Sequence, residues 1–290
     1  AEGTAIADLE NPDRVLIGGE DINSCEILSK IYERWIPKEK ILFTNLWSSE
    51  LSKITANAFL AQRVSSINAI SALCEVTGAE IKEVSNVIGS DRRIGSKFLS
   101  VSPGFGGSCF QKDILNLVYL SNYYGLNEVA KYWEQVLILN KWQRKRISKI
   151  IVDKFFGTIT SKKIVLLGFA FKPETNDTRE SPAIYIALDL LENGASLVIH
   201  DPKVSKSSIE AALKNDINNK NWCVEKNVFE AVKEADAVVL LTQWEEYLKL
   251  DWKEISQGMR SPGWIFDTRS VLDSEYFKKV DVNFWSIGNA

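Results

Sequence analysis

The chain has 290 residues, 45% of them hydrophobic and 25% charged, a balance that suits a soluble globular protein with material for about two domains. A net charge of -3 offers no basic field for nucleic acid, and no apolar run approaches the ~20 residues that cross a bilayer. His200 is the only histidine, and the four cysteines show no Cys-x-x-Cys spacing, which weighs against structural zinc and against catalysis built on Ser-His or Cys-His pairs. The cysteine usage and the absence of a signal-peptide pattern fit a reducing, cytoplasmic setting.

Residues 14–18 read as a strand ending in Gly18 and Gly19, residues 22–35 as a helix and 40–44 as a second strand. This opening looks like the tail of an α/β domain, and a chain that starts on Ala1 with Met259 as its sole methionine suggests a piece of something longer. Ser48 or Ser49 is placed to cap a long helix with Glu50 in its first turn. No Gly or Pro intervenes before Gly78, so the helix is expected to reach about Val76, ~40 Å at ~1.5 Å per residue, a length suited to a core spine or an interface. Helices over 81–88, 111–123 and 128–156 follow, and the basic run at 141–146 reads as a solvated helix face. The pattern then changes: strands are expected at 163–168, 196–200, 235–242, 263–267 and 283–287, with a helix at 182–192. The fold class is therefore α/β, a helical central region followed by a Rossmann-like doubly wound parallel sheet, with boundaries expected at 1–45, 46–156 and 157–290. Ligands of such sheets bind beyond the carboxyl ends of the strands. His200, at the end of one strand, reads as structural.

The richest run for chemistry is Gly104-Phe-Gly-Gly-Ser-Cys-Phe-Gln-Lys-Asp113. Three glycines in four positions let the backbone approach a ligand. Cys109 lies just before a helix, where the N-terminus and Lys112 favour thiolate over thiol, and Asp113 is within a turn, where it can serve as a base or position water. The competing reading is a structural cysteine in a tight turn. Cys25, Cys74 and Cys223 have apolar neighbours and read as packing residues. Lys53 and Asn57 are i and i+4, so they share a helix face. That face is either buried, in which case Lys53 needs a partner, or a surface lysine beside a hydrogen-bonding asparagine. Gly168-Phe-Ala-Phe-Lys172 follows a strand but is not Gly-x-Gly-x-x-Gly. With Asp177-Thr-Arg-Glu-Ser181 next to a helix start, Lys172 and Arg179 either flank a phosphate or belong to an ordinary βα loop with surface ions. Arg269, beyond the strand that ends in Asp267, points at the ligand crevice.

Taken in order, the runs at 1–5, 51–61, 104–113, 168–172, 177–181 and 266–269 resemble the dehydrogenases of the UDP-glucose/GDP-mannose family, and 47–53 looks closest to its UDP-glucose branch. The resemblance implies two-step oxidation of a sugar C6 alcohol by two NAD+, through a thiohemiacetal and a thioester on Cys109 that water hydrolyses. It implies Lys53 and Asn57 at the oxyanion and the water, and Asp113 assisting that water. It implies UDP-glucose contacts from Glu2, Arg93, Phe98, Phe105, Gly106, Phe171, Lys172 and Arg269, with Arg93 reaching into a neighbouring subunit's site, and NAD contacts from Lys112 and Arg179. It further implies a homodimer through the long central helix, alone or within a higher oligomer, and no metal, nucleic acid or membrane. The family's N-terminal Gly-x-Gly-x-x-Gly domain is not in this sequence, so the chain is expected to be inactive by itself. The rival readings are a GDP-mannose or UDP-acetylmannosamine dehydrogenase, or a non-catalytic nucleotide-sugar-binding dimerisation module.

Overall fold

In the computed structural model, which describes residues 5–213 and 221–289, the chain opens with a short helix, α1 (Ala5–Glu10). A parallel strand pair follows, β1 (Val15–Gly18) and β2 (Ile41–Thr44), joined by α2 (Ile22–Tyr32). Asp21 caps α2 by accepting the N–H groups of Asn23 and Ser24. The helix stops three residues short of the expected 35. The chain turns there ahead of Pro37, and Trp35 Nε1 donates to Leu9 O at 3.0 Å.

α3 (Leu46–Thr77) is a 32-residue helix, ~48 Å long. Its cap is Asn45, which accepts Ser48 N–H at 2.7 Å, so Ser48 and Ser49 lie inside the first turn rather than at the cap. Gly78, at φ 79°, ends the helix in the left-handed conformation that spares a Cβ. α4 (Ile81–Ser90), α5 (Phe110–Tyr123) and α6 (Asn127–Lys154) complete the central region. α3, α5 and α6 enclose a core of Ile54, Ala58, Ala61, Ile114, Leu117, Trp133 and Val136. Ala58 and Ala61 are fully buried, and their small side chains let the helices come close.

The remainder alternates strands and helices: β3 (Lys163–Leu167), α7 (Pro182–Glu192), β4 (Ser196–His200), α8 (Lys206–Leu213), β5 (Trp222–Val224), α9 (Val228–Val232), β6 (Ala237–Leu240), α10 (Glu245–Leu248), α11 (Trp252–Gly258), β7 (Trp264–Asp267), α12 (Ser274–Phe277) and β8 (Asn283–Ser286). All six strands of this sheet are parallel, in the order β5-β4-β3-β6-β7-β8, as the doubly wound reading expects. The order reverses between β3 and β6, which opens a crevice at their carboxyl ends. Both strands are buried on both faces, hence their unbroken apolar runs in the sequence.

The central region and the sheet share one core, because Ile67 and Cys74 of α3, Ile81 of α4, and Ile147 and Ile151 of α6 join the sheet's apolar cluster. Glu75 of α3 reinforces the seam: one oxygen accepts Gly288 N–H at 2.8 Å and the other pairs with Arg146.

Two further expectations fail. The basic run at 141–146 is not a solvated face, because Gln143 and Arg144 are buried and Arg146 is turned onto Glu75. Cys223 is exposed, because β5 is a three-residue edge strand, while Cys25 and Cys74 are buried as expected; all four cysteines are free thiols. Among the described residues no helix is long and apolar enough to cross a membrane.

Candidate active site

Cys109 occupies the N-cap position of α5, with its side chain exposed and not used in capping. The Ser108 hydroxyl lies 3.6 Å from its sulfur. One turn further, Asp113 donates its N–H to Cys109 O at 2.9 Å, which places thiol and carboxylate on the same side of the helix start. The Asp113 side chain is buried, and its Oδ2 accepts Lys53 Nζ at 2.6 Å and Asn57 Nδ2 at 2.6 Å. The i, i+4 pair on α3 therefore converges on the first turn of α5 across 56 to 60 residues of sequence. Lys53 itself is 56% exposed, so the buried member of the trio is the carboxylate and not the ammonium. A buried carboxylate needs such donors, and their other faces remain at the surface, where a cation beside an amide suits a developing oxyanion. An open cavity of about 540 Å³ borders Lys53 and Asn57, and another of about 600 Å³ runs along α5 past Ser108, Gln111, Lys112 and Glu180.

The glycines of the loop before Cys109 are packed closely against protein. A Cβ on Gly104 would lie 2.8 Å from Asn140 Oδ1, and one on Gly106 would lie 2.5 Å from Glu180 O and 2.9 Å from Phe171 Cβ. Gly107, at φ 84°, packs on the Phe171 ring and donates its N–H to Arg179 O at 2.8 Å. The loop is thus pressed between α6 and the 171–181 segment. Asn140, Gln143 and Arg144 of α6 and Asn68 of α3 hold its main chain. Asn68 Oδ1 accepts Ser102 N–H at 2.9 Å, and Gln143 donates to Ser102 O at 2.9 Å. Asn140 accepts Phe105 N–H at 2.9 Å and donates to Phe105 O at 3.1 Å, while Arg144 donates to the same carbonyl at 2.7 Å. The sequence reading missed these four side chains. A signal was present: Trp133, Val136, Asn140, Gln143, Arg144, Ile147 and Ile151 share one helical phase, so the polar residues interrupt an apolar stripe.

The other expected contacts are scattered around this centre. Phe105 is a core residue packed edge-on to Phe110 at 5.7 Å, and Phe98, at φ 62° and partly exposed, stands 6.5 Å from the same ring. The Lys172 ammonium lies 5.7 Å from the Phe171 ring. Arg179 forks onto Asp177, and Arg93, largely exposed, pairs with Asp91 at 2.6 Å. Arg269 donates its Nε–H to Leu241 O at 2.6 Å and lines a cleft of about 310 Å³ with Lys82, Ser85, Asn86, Ser100 and Gln243, at the carboxyl ends of β6 and β7. Burial pushes the Arg269 guanidinium down to about 10. Asp267 fixes this turn by accepting the N–H groups of Arg269, Val271 and Leu272. Glu2 lies outside the described residues. His200 is structural: it is buried between Tyr247 Oη at 2.7 Å and Lys226 O at 3.1 Å.

The loop after β3 does not fit a dinucleotide. In a nucleotide-binding sheet the main-chain N–H groups there would face phosphate. Here Asp201 Oδ2 accepts Phe169 N–H at 2.7 Å and Ala170 N–H at 3.0 Å, and Trp244 Nε1 donates to the same oxygen at 3.2 Å.

Both halves of the chain match known proteins. Residues 47–142 match the central domain of the UDP-glucose/GDP-mannose dehydrogenase family, and residues 165–274 match its UDP-binding domain. UDP-glucose 6-dehydrogenase of Bos taurus is 53% identical over 98% of this chain, and that of Drosophila melanogaster is 51% identical over 99%. The chain spans 60% and 63% of the length of these two relatives. The solved UDP-glucose dehydrogenase of Pyrobaculum islandicum superposes with a TM-score of 0.84 at 26% identity, covering 99% of this chain and 61% of that one. The UDP-D-ManNAc dehydrogenase of Pyrococcus horikoshii has the same fold, with a TM-score of 0.77 at 22% identity. With both domain models matched in order and half of the residues identical along nearly its whole length, the chain belongs to the UDP-glucose/GDP-mannose dehydrogenase family.

Proposed function

We propose that this chain carries the thiol chemistry and the nucleotide-sugar cleft of a UDP-glucose 6-dehydrogenase. The observation that carries the reading is the convergence of Lys53, Asn57 and Asp113 on the helix start that bears the exposed Cys109 thiol. In this reading the Cys109 sulfur adds to the carbonyl carbon of a sugar C6 aldehyde. The alkoxide that forms faces Lys53 and Asn57, which Asp113 orients and counterbalances. At the thioester stage the same two donors polarise the carbonyl while water attacks; the C–S bond breaks and the thiol is regenerated beside the carboxylate product. NAD+ supplies hydride acceptance in this chemistry, and the loop after β3, whose N–H groups are taken by Asp201, is not proposed as its phosphate loop. Lys112 and Arg179 are proposed to reach it from this side of the cleft.

The nucleotide diphosphate is proposed to lie at the carboxyl ends of β6 and β7, where Arg269 and Lys82 supply positive charge. Phe98, Phe171, Lys172, Arg93 and Glu2 are proposed as further contacts, and the main chain at Phe105 and Gly106 as the wall of the sugar site. Leu51, Phe59, Ile70, Leu73 and Val76 are exposed apolar side chains on α3, which supports a homodimer through this helix. The names of the relatives favour UDP-glucose over the GDP-mannose and UDP-acetylmannosamine alternatives. Titration calorimetry with the three nucleotide sugars, paired with iodoacetamide labelling of Cys109, tests the assignment. UDP-glucose is expected to bind most tightly and to slow the labelling. Equal labelling rates with and without saturating UDP-glucose would refute it.

A further inference from the structure

Arg144 stands at the centre of a buried junction between two segments that lie far apart in the sequence. Its side chain is 6% exposed, yet the nearest carboxylate oxygen, on Glu180, is 3.9 Å away, long for a buried ion pair. Main-chain dipoles and an aromatic face compensate the charge instead. Nη2 donates to Phe105 O at 2.7 Å and to Glu180 O at 3.1 Å, and the guanidinium lies 4.1 Å from the Tyr185 ring centroid. The two carbonyls belong to different parts of the chain. Phe105 lies four residues before Cys109 in the glycine loop, whereas Glu180 lies in the 177–181 segment that leads into α7.

The junction continues on both sides. Asn140 pairs with both main-chain groups of Phe105, much as a neighbouring strand would. Tyr185 donates its hydroxyl to Glu180 Oε2 at 2.6 Å. Glu180 has φ 54°, a left-handed conformation that a glutamate holds only when its surroundings fix it. Arg144 on its carbonyl and Tyr185 on its carboxylate provide that fixation. A lysine is only a partial substitute for Arg144 here: an ammonium could reach the two carbonyls that Nη2 serves, but only the planar guanidinium stacks on the Tyr185 ring while doing so.

We propose that Arg144 is a positioning residue: it sets where Cys109 emerges at the start of α5, and through Glu180 and Tyr185 it makes that setting depend on the 171–181 segment. The proposal rests on the thiol reading above, but its first readout does not require turnover. In a Cys223→Ser background Cys109 is the exposed thiol among the described residues, and Cys25 and Cys74 report on the fold because they are buried. The rate of Cys109 alkylation by iodoacetamide is measured for wild type, Arg144→Met, Arg144→Lys and Tyr185→Phe, with and without UDP-glucose, and intact mass counts the labels. In the holoenzyme kcat and KM are measured alongside.

Arg144→Met is expected to slow Cys109 alkylation while Cys25 and Cys74 stay protected. It should lower kcat on the order of 10- to 100-fold, the scale of an ångström-sized misplacement, with a smaller change in KM. Arg144→Lys should recover part of both. Tyr185→Phe, which deletes one hydroxyl, should leave the fold intact and weaken the effect of UDP-glucose on the alkylation rate. Wild-type alkylation and kcat in Arg144→Met would overturn the proposal. Should Arg144→Met also label Cys25 and Cys74, the fold has failed and Tyr185→Phe decides: wild-type alkylation and wild-type UDP-glucose protection in that variant would equally overturn it. If UDP-glucose fails to protect Cys109 in the wild type, it is the functional reading that falls, whereas the slowing by Arg144→Met without ligand still stands or falls by itself.

Discussion

Gly106→Ala is the most direct probe of how the thiol loop is held. Gly106 does not need a left-handed backbone, so the substitution adds only a methyl group. That methyl would stand 2.5 Å from Glu180 O and 2.9 Å from Phe171 Cβ. Carbon and oxygen come to ordinary contact near 3.4 Å, so the two segments must part by about 0.9 Å. Neither neighbour yields easily, since the Glu180 carbonyl is fastened by Arg144 at 3.1 Å and a Cβ cannot rotate away. The expected loss is about 1–3 kcal/mol of stability, the usual cost of overpacking a filled site. Cys109, three residues on, should shift with the loop and alkylate more slowly. Gly258→Ala is the control: at the end of α11 its methyl would meet Val232 Cγ2 at 3.8 Å, an ordinary contact, so stability should hold or rise slightly. Urea melts and iodoacetamide kinetics on both variants give the answer. A Gly106→Ala chain with wild-type stability and wild-type labelling would show that the two segments are not in close contact.

Three further outcomes are expected. Lys53→Met removes one of the two side-chain donors from the buried Asp113 carboxylate; since Lys53 is more than half exposed, the cost should be about 1 kcal/mol in urea unfolding, and no loss at all would deny the ion pair. Asn45→Ala should cost about 1 kcal/mol in thermal melts while Ser48→Ala and Ser49→Ala stay within a few tenths, and the reverse ranking would move the cap of α3. Asp189 of α7 is held above its ordinary value of 3.8 by burial, so the folded chain binds its proton more tightly than the unfolded chain does. Its contribution is complete below that value and is lost as pH rises through the raised one; Asp189→Asn should therefore flatten the fall in stability just above about pH 4, and an unchanged slope would contradict this.

The strands β3, β4, β6 and β7 were legible because each is an apolar run closed by a turn signal, a pattern set by burial on both faces. β5 was not, since three edge residues carry no period, and with it went the placement of Cys223. The pairing of Lys53 with Asn57 followed from helical spacing, but their convergence on Asp113 is a tertiary fact that no local pattern records. The glycines of the thiol loop were visible while the protein contacts that need them were not: a missing Cβ tells that something comes close, not that it is Glu180 or Phe171. Arg144 was hidden inside a run of positive charge, where composition argued for solvent and only the phase with Val136 and Ile147 argued for the interior.

α3 carries Lys53 and Asn57 near its start, Asn68 in its middle and Glu75 near its end, all within one unbroken helix. From Lys53 to Glu75 is about 33 Å along a rod whose angular phase advances ~100° per residue. It therefore works as a ruler with a fixed phase. Adding or removing one residue between Asn57 and Asn68 would shift the far half by only ~1.5 Å, but would also swing Asn68 and Glu75 off the loop and the sheet they grip. Sequence change along this helix is thus free to alter exposed side chains that hold nothing, but not the number of residues: even about seven added residues, two whole turns that restore the phase, would carry Asn68 and Glu75 about 10 Å past the groups they grip.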